Sequence, residues 1–118
     1  MSRKNVLVVD DDDGIVETMK DVLESSGYDV DTASNGSDAV ELVKENDYGI
    51  ILMDIRMPGM NGLQAYKRMR EGGKTLNVVF ITAFTDDETA SKIKTEACPV
   101  LYKPVDMVKL MGVVKMTR

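Results

Sequence analysis

Short apolar runs alternate with stretches of helical spacing five times along this chain, and few folds accommodate that pattern. Val6 to Val9 is a buried-strand candidate, followed by a helix with Ile15, Met19, Val22 and Leu23 on one face and Gly27 as its stop. Tyr28 to Ala33 alternates weakly, as a more exposed strand does. Asn35-Gly36 makes the turn into a second helix, marked by Ala39, Val40 and Val43 and ending near Asn46. Gly49 to Met53 is the next apolar run; Leu63, Tyr66 and Met69 then define a third helix, closed by Gly72-Gly73. Asn77 to Thr82 reads as a fourth strand, and Thr85-Asp86-Asp87-Glu88 has the capping-box spacing that opens a helix. That helix has a thin apolar face, Ala90, Ile93 and Ala97, so it is weakly held. Val100 to Tyr102 is a last short strand. Asp106 caps a final helix with Met107, Leu110, Met111 and Val114 inward, weakened by Gly112. With short connections and no linker-like segment, the pattern predicts an α/β fold, a parallel sheet with helices on both faces and right-handed crossovers. The 118 residues are read as one domain.

In such a sheet all strand C-termini share one edge, where ligands bind. Four of those ends carry polar groups: Asp10-Asp11-Asp12-Asp13, Asp54, Thr82 and Lys103. A lone Asp before a Pro/Gly turn usually just starts the turn, a lone Lys is usually a surface residue, and Asp12 and Asp13 suit a helix N-terminus. Four polar strand ends in one chain make a constellation. Two carboxylates 4 Å apart repel by about 4 kcal/mol at an effective dielectric near 20. Such a cluster must protonate, spread or hold a cation, and hard oxygen ligands in a small site suit Mg²⁺ keeping several waters. Lys103 is then a fixed cation facing the acids, and Thr82 a hydroxyl donor to a bound anion. An aspartate can be a nucleophile toward phosphorus, with Mg²⁺ and Lys stabilising the charge in transfer.

Composition removes other classes. There is no His, so imidazole catalysis, His-ligated metals and phosphohistidine on this chain are excluded. The single Cys98 permits no intramolecular disulfide, fits a reducing compartment, and makes no zinc site alone. A net charge of −5 without a Lys/Arg stripe argues against a nucleic-acid surface. No apolar run approaches a membrane span, and the reading is a cytoplasmic protein.

The chain resembles a response-regulator receiver domain along nearly its whole length. The matching residues are Val9-Asp10-Asp11, Met53-Asp54 with Met57-Pro58-Gly59-Met60-Asn61-Gly62, Ile81-Thr82-Ala83, and Lys103-Pro104, in matching order and spacing. The resemblance implies a flavodoxin-like (βα)5 domain with strand order 2-1-3-4-5. It implies that Asp54 accepts phosphate from a histidine kinase or histidine phosphotransfer protein, in a two-component or phosphorelay system. It implies that Asp11 ligates Mg²⁺ directly and Asp10 mainly through water, that Asp54 and the Arg56 carbonyl complete the metal site, and that Thr82 and Lys103 hold the phosphoryl oxygens. It also implies a cis Lys103-Pro104 peptide. A downstream protein is expected to contact the face of residues 86–114, and the chain is read as a stand-alone receiver with no direct nucleic-acid contact. Val100 and Val105 stand where the family usually has aromatic residues, so a rotating-ring switch is not expected at Val100. Tyr102, of the same strand parity, is its candidate substitute. Arg56 and Phe84 occupy the positions flanking the water that releases the phosphate, and neither suits that task. Slow autodephosphorylation is therefore expected beside a self-catalysed, Mg²⁺-dependent phosphorylation. The rival class is a small haloacid-dehalogenase-type phosphatase with Asp11 as nucleophile, since Asp11-Asp12-Asp13-Gly14-Ile15-Val16 imitates that motif. It lacks the usual Thr at Ile15 and a downstream acidic pair. A flavodoxin-like cofactor binder is disfavoured because four aspartates after the first strand repel a phosphate.

Overall fold

Apolar runs too continuous for a half-exposed sheet become strands buried on both faces. A computed structural model describes residues 5–83 and 98–116. Its strands are β1 (Asn5–Val9), β2 (Asp29–Ala33), β3 (Ile50–Asp54), β4 (Val78–Thr82) and β5 (Val100–Tyr102). All pair in parallel, in the order β2-β1-β3-β4-β5. The helices among the described residues are α1 (Asp13–Ser25), α2 (Gly36–Glu45), α3 (Gly62–Glu71) and α4 (Met107–Met116). This is the α/β architecture and strand order expected. The helix expected to open at Thr85, with Ala90, Ile93 and Ala97 inward, lies outside the described residues.

The two-residue period of a strand sends alternate side chains to opposite faces, and the core divides accordingly. Leu7, Val9, Ile51, Met53 and Phe80 meet α2 and α3 through Ala39, Val40, Val43, Leu63, Tyr66 and Met69. Val6, Val8, Ile50, Leu52, Val79 and Ile81 meet α1 and α4 through Met19, Leu23, Leu110 and Val114. Tyr66 and Phe80 pack edge to face, centroids 5.7 Å apart at 84°, which adds about 1 kcal/mol beyond the area buried. Edge strand β2 is mostly exposed, as its weak alternation foretells.

Helix ends follow local chemistry. The Asp12 side chain accepts hydrogen bonds from the Gly14 and Ile15 amides, 3.0 and 3.2 Å, and caps α1. At the other end Gly27, at φ 93°, lets the Tyr28 amide reach the Leu23 carbonyl. Asn61 and Gln64 form a reciprocal capping box on α3, each bond 2.9 Å. Asp106 caps α4 through the Val108 amide at 2.8 Å. The C-terminal end of α2 is held from a distance: Lys74 Nζ donates to the carbonyls of Val43 (2.7 Å) and Asn46 (3.0 Å) and pairs with Asp47 (3.1 Å). A cation on orphan carbonyls at the negative end of a helix stabilises it. Lys74→Met is expected to cost about 1–2 kcal/mol, read as a lower urea midpoint at unchanged slope. An unchanged midpoint contradicts this role.

Candidate functional site

Strand parity decides where the acids point. Asp54 continues the alternation of Ile50 and Leu52, and Asp10 that of Val6 and Val8, so both leave the sheet on the α1 side. Asp54 closes the sheet's central strand, in register with Ile81 of β4. Asp10 follows β1, its amide bonded to the Ala33 carbonyl at 3.2 Å. Thr82 ends β4, and its carbonyl accepts from the Lys103 amide at 2.8 Å, which places Lys103 just past β5. The Lys103-Pro104 peptide is cis, as the resemblance implies.

These placements bring one ammonium between two carboxylates. Lys103 Nζ lies 3.0 Å from Asp10 Oδ2 and 3.3 Å from Asp54 Oδ2. Asp10, Asp54 and Thr82 are 0%, 3% and 1% exposed, whereas Asp11 is exposed. Asp10 Oδ1 accepts from the Asp12 amide at 3.0 Å. Its Oδ2, fully buried, has the close charge of Lys103 but not the alignment of a directed hydrogen bond. Burial, then the Asp10 charge, push the Asp54 carboxyl up to about 6, against the opposing pull of Lys103 and the Arg56 amide. Burial alone would lower the Lys103 ammonium; its close contacts with the Asp10 and Asp54 carboxylates outweigh that and raise it.

One carboxylate oxygen each from Asp10, Asp11 and Asp54 lies within 4.8 Å of the others. Three acids against one lysine leave an excess of negative charge, and all the donors are hard oxygens. Such a set fits a small divalent cation. The cluster opens on a cleft of about 440 Å³ lined by Asp11, Asp12, Asp54, Arg56, Ala83 and Lys103. Asp12 reaches the cleft rim but spends one carboxylate oxygen on two helix amides, a structural task.

The loop after Asp54 is fixed by backbone contacts. The Gly62 amide donates to the Ile55 carbonyl at 2.8 Å. A Cβ on Gly62 would overlap the Asp54 carbonyl oxygen and stand 2.9 Å from Ile55 Cα. A Cβ on Gly36 would stand 2.8 Å from the Met60 carbonyl oxygen, so the same loop also presses on the start of α2. Gly62 belongs to a sequence motif, and these contacts supply its physical reason. Asn35-Gly36 reads as a turn, and no local signal marks the contact of Gly36 with Met60. Of the remaining expectations, Tyr102 is 54% exposed and Val100 half-buried. Phe84 and residues 86–97 of the expected output face lie outside the described residues.

Residues 6–115 match the response regulator receiver domain as a family. The chain belongs to that family. This receiver is 36% identical over 107 residues to the transcriptional regulatory protein ZraR of Klebsiella oxytoca, covering 90% of this chain and 24% of that protein. It is 32% identical over 111 residues to the regulatory protein AtoC of Escherichia coli, covering 93% of this chain and 24% of AtoC. The receiver thus spans about a quarter of the length of these curated relatives. Among solved structures it superposes on the chemotaxis protein CheY4 of Vibrio cholerae with a TM-score of 0.88 at 27% identity, covering 99% of this chain and all of that one. The receiver domain of the Francisella response regulator 1452 gives 0.87 at 29% identity, covering 97% and 95%. The phosphatase alternative finds no support: the match is to receivers, and Asp11, its required nucleophile, is an exposed residue with no ion pair among the described residues. Among the described residues no helix is long and apolar enough to cross a membrane.

Proposed function

We propose that residues 1–118 form one receiver domain in which Asp54 takes a phosphoryl group from a histidine kinase or histidine phosphotransfer protein. The observation that carries this reading is a single buried carboxylate that lines the cleft, lies 3.3 Å from a buried-side ammonium, and shares an acid cluster with Asp10 and Asp11. An Asp54 oxygen attacks phosphorus; the donor's N–P bond breaks, and the imidazole leaves with the bond pair. Lys103 turns its ammonium from carboxylate to phosphoryl oxygens, and the Thr82 hydroxyl at the neighbouring strand end donates to another. Asp10, Asp11, Asp54 and the Arg56 carbonyl would hold Mg²⁺, which would supply neutralisation of the negative charge of the acids and the phosphoryl group.

The net charge of −5 supports partners that are proteins, with no direct nucleic-acid contact by these residues, and the reading places the domain in the cytoplasm. About three quarters of ZraR, named a transcriptional regulatory protein, lies outside the match. The test is labelling by acetyl phosphate. Label is expected on the peptide containing Asp54, in the presence of Mg²⁺ and not in excess chelator. Label on Asp11, or label that survives the chelator, overturns the reading.

Arg56 bears on how long the phosphate stays. It lines the cleft and has donors only, so it engages phosphoryl oxygens and accepts no proton from an attacking water. Arg56→Asn is expected to shorten the phosphoryl half-life by about tenfold, about 1.4 kcal/mol of barrier. An unchanged half-life removes Arg56 from that role.

A further inference from the structure

Core side chains pack with few voids larger than a water molecule, and the seam between α2 and α3 departs from that rule. The inward residues of α2 are short, Ala39, Val40 and Val43, and α3 closes on Gly72, which has no side chain to fill the space between them. A cavity of about 120 Å³ remains, lined by Val40, Val43 and Met69, all buried, and by the cations Lys44, Arg68 and Lys74. It adjoins a wider cleft of about 380 Å³, with which it shares Val40, Lys44, Arg68 and Gly72. Both lie on the α2 and α3 side of the sheet, across the strands from the Asp54 carboxylate.

The three cations are not equivalent. Lys44 Nζ stands 3.4 Å from a Glu41 carboxylate oxygen. Lys74 spends its three donors on the carbonyls of Val43 and Asn46 and on the Asp47 carboxylate. The Arg68 side chain has neither an ion pair nor a hydrogen bond among the described residues. With Lys44 and Lys74 each matched by a carboxylate, the cavity keeps one uncompensated positive charge, which a monoanion balances. Asp38, Glu41 and Glu71 line the outer cleft and repel a dianion or a polyanion on its way in. A guanidinium fork grips a carboxylate through two parallel hydrogen bonds. The buried lining is apolar, so the remainder of the ligand is hydrocarbon. A cavity of about 150 Å³ takes one benzene ring, and the smaller space here suits a branched group of about four carbons.

We propose that the α2–α3 cavity binds a small branched monocarboxylate, its carboxylate on Arg68 and its hydrocarbon body among Val40, Val43 and Met69. Binding requires neither Asp54 nor a phosphate, and so stands apart from the receiver reading. The probe is isovalerate, titrated into isotope-labelled protein at neutral pH and followed by amide chemical shifts. Saturable shifts are expected at Val43, Lys44, Arg68 and Gly72, with a Kd of about 1 mM for a ligand of this size. Acetate keeps the charge without the body, and isovaleramide keeps the body without the charge. Each is expected to bind at least about tenfold more weakly than isovalerate. Arg68 is exposed, so Arg68→Ala is expected to keep the helical circular dichroism while weakening isovalerate by at least about tenfold. No saturation by about 20 mM isovalerate, equal binding of acetate or the amide, or undiminished binding by Arg68→Ala overturns the proposal. Inorganic phosphate binding as tightly as isovalerate overturns it in favour of a bare anion site. Shifts centred on Asp54 and Lys103 in place of Arg68 put the carboxylate in the acid-lined cleft and overturn it as well.

Discussion

Asp54→Ala is expected to reduce phosphate incorporation from acetyl phosphate to background, a loss of at least about a thousandfold, or about 4 kcal/mol. The reason is that the neighbouring carboxylates cannot replace it. Asp10 is as deeply buried, but one oxygen accepts from the Asp12 amide, the other faces Lys103, and its side chain does not line the cleft. Asp11 lines the cleft but stands exposed, with no ammonium held against it among the described residues. Only Asp54 combines access to the cleft with burial and a lysine at 3.3 Å. Asp12→Ala is the control. It removes a helix cap worth about 1 kcal/mol and is expected to keep the label. Loss of label in Asp12→Ala at a temperature where the protein is folded, or its retention in Asp54→Ala, refutes this assignment.

Gly62→Ala is expected to destabilise the domain by about 3 kcal/mol, lowering Tm by roughly 12 °C. The added methyl overlaps the Asp54 carbonyl oxygen, and that carbonyl belongs to a strand paired on both sides, with β1 and β4. Relief requires α3 to move away, taking with it the Tyr66–Phe80 contact and the Gly62–Ile55 hydrogen bond. Gly112→Ala is the counterpart: the same methyl meets no atom within 4 Å among the described residues and is expected to raise stability by about 1 kcal/mol. Differential scanning calorimetry of the pair measures both. Equal melting temperatures for the two variants contradict the packing argument.

The fold was legible because the central strands write their burial as unbroken apolar runs, and the first three helices read as stripes that a Gly or Asn ends. Val6–Val9 and Val78–Ile81 have no polar residue to confuse the period, and the polar groups that follow them mark the sheet edge. The apolar run stops at Met53, yet Asp54 is the last member of β3, because its pairing with Ile81 continues the ladder one step further. The lysine of the site could be placed by strand-end position alone. What could not be read were contacts between segments remote in sequence. Nothing near Lys74 announces that its amine ends on the carbonyls of Val43 and Asn46, about thirty positions away. Gly62 and Gly36 look like ordinary turn glycines until the neighbouring carbonyls are in place. The pairing of Tyr48 with Asp31, 2.7 Å apart at the sheet's margin, is likewise a product of the assembled fold.

One ammonium shared between two buried carboxylates also sets how this domain responds to selection in the laboratory. Charge repulsion among Asp10, Asp11 and Asp54 is a standing destabilisation of the cation-free protein, so substitutions that neutralise an acid there are among the easiest ways to make the domain sturdier. A library screened for heat resistance or soluble yield in chelating buffer will therefore enrich Asp54→Asn and its neighbours. Such variants would look improved by every criterion except the chemistry that the strain in the native cluster maintains.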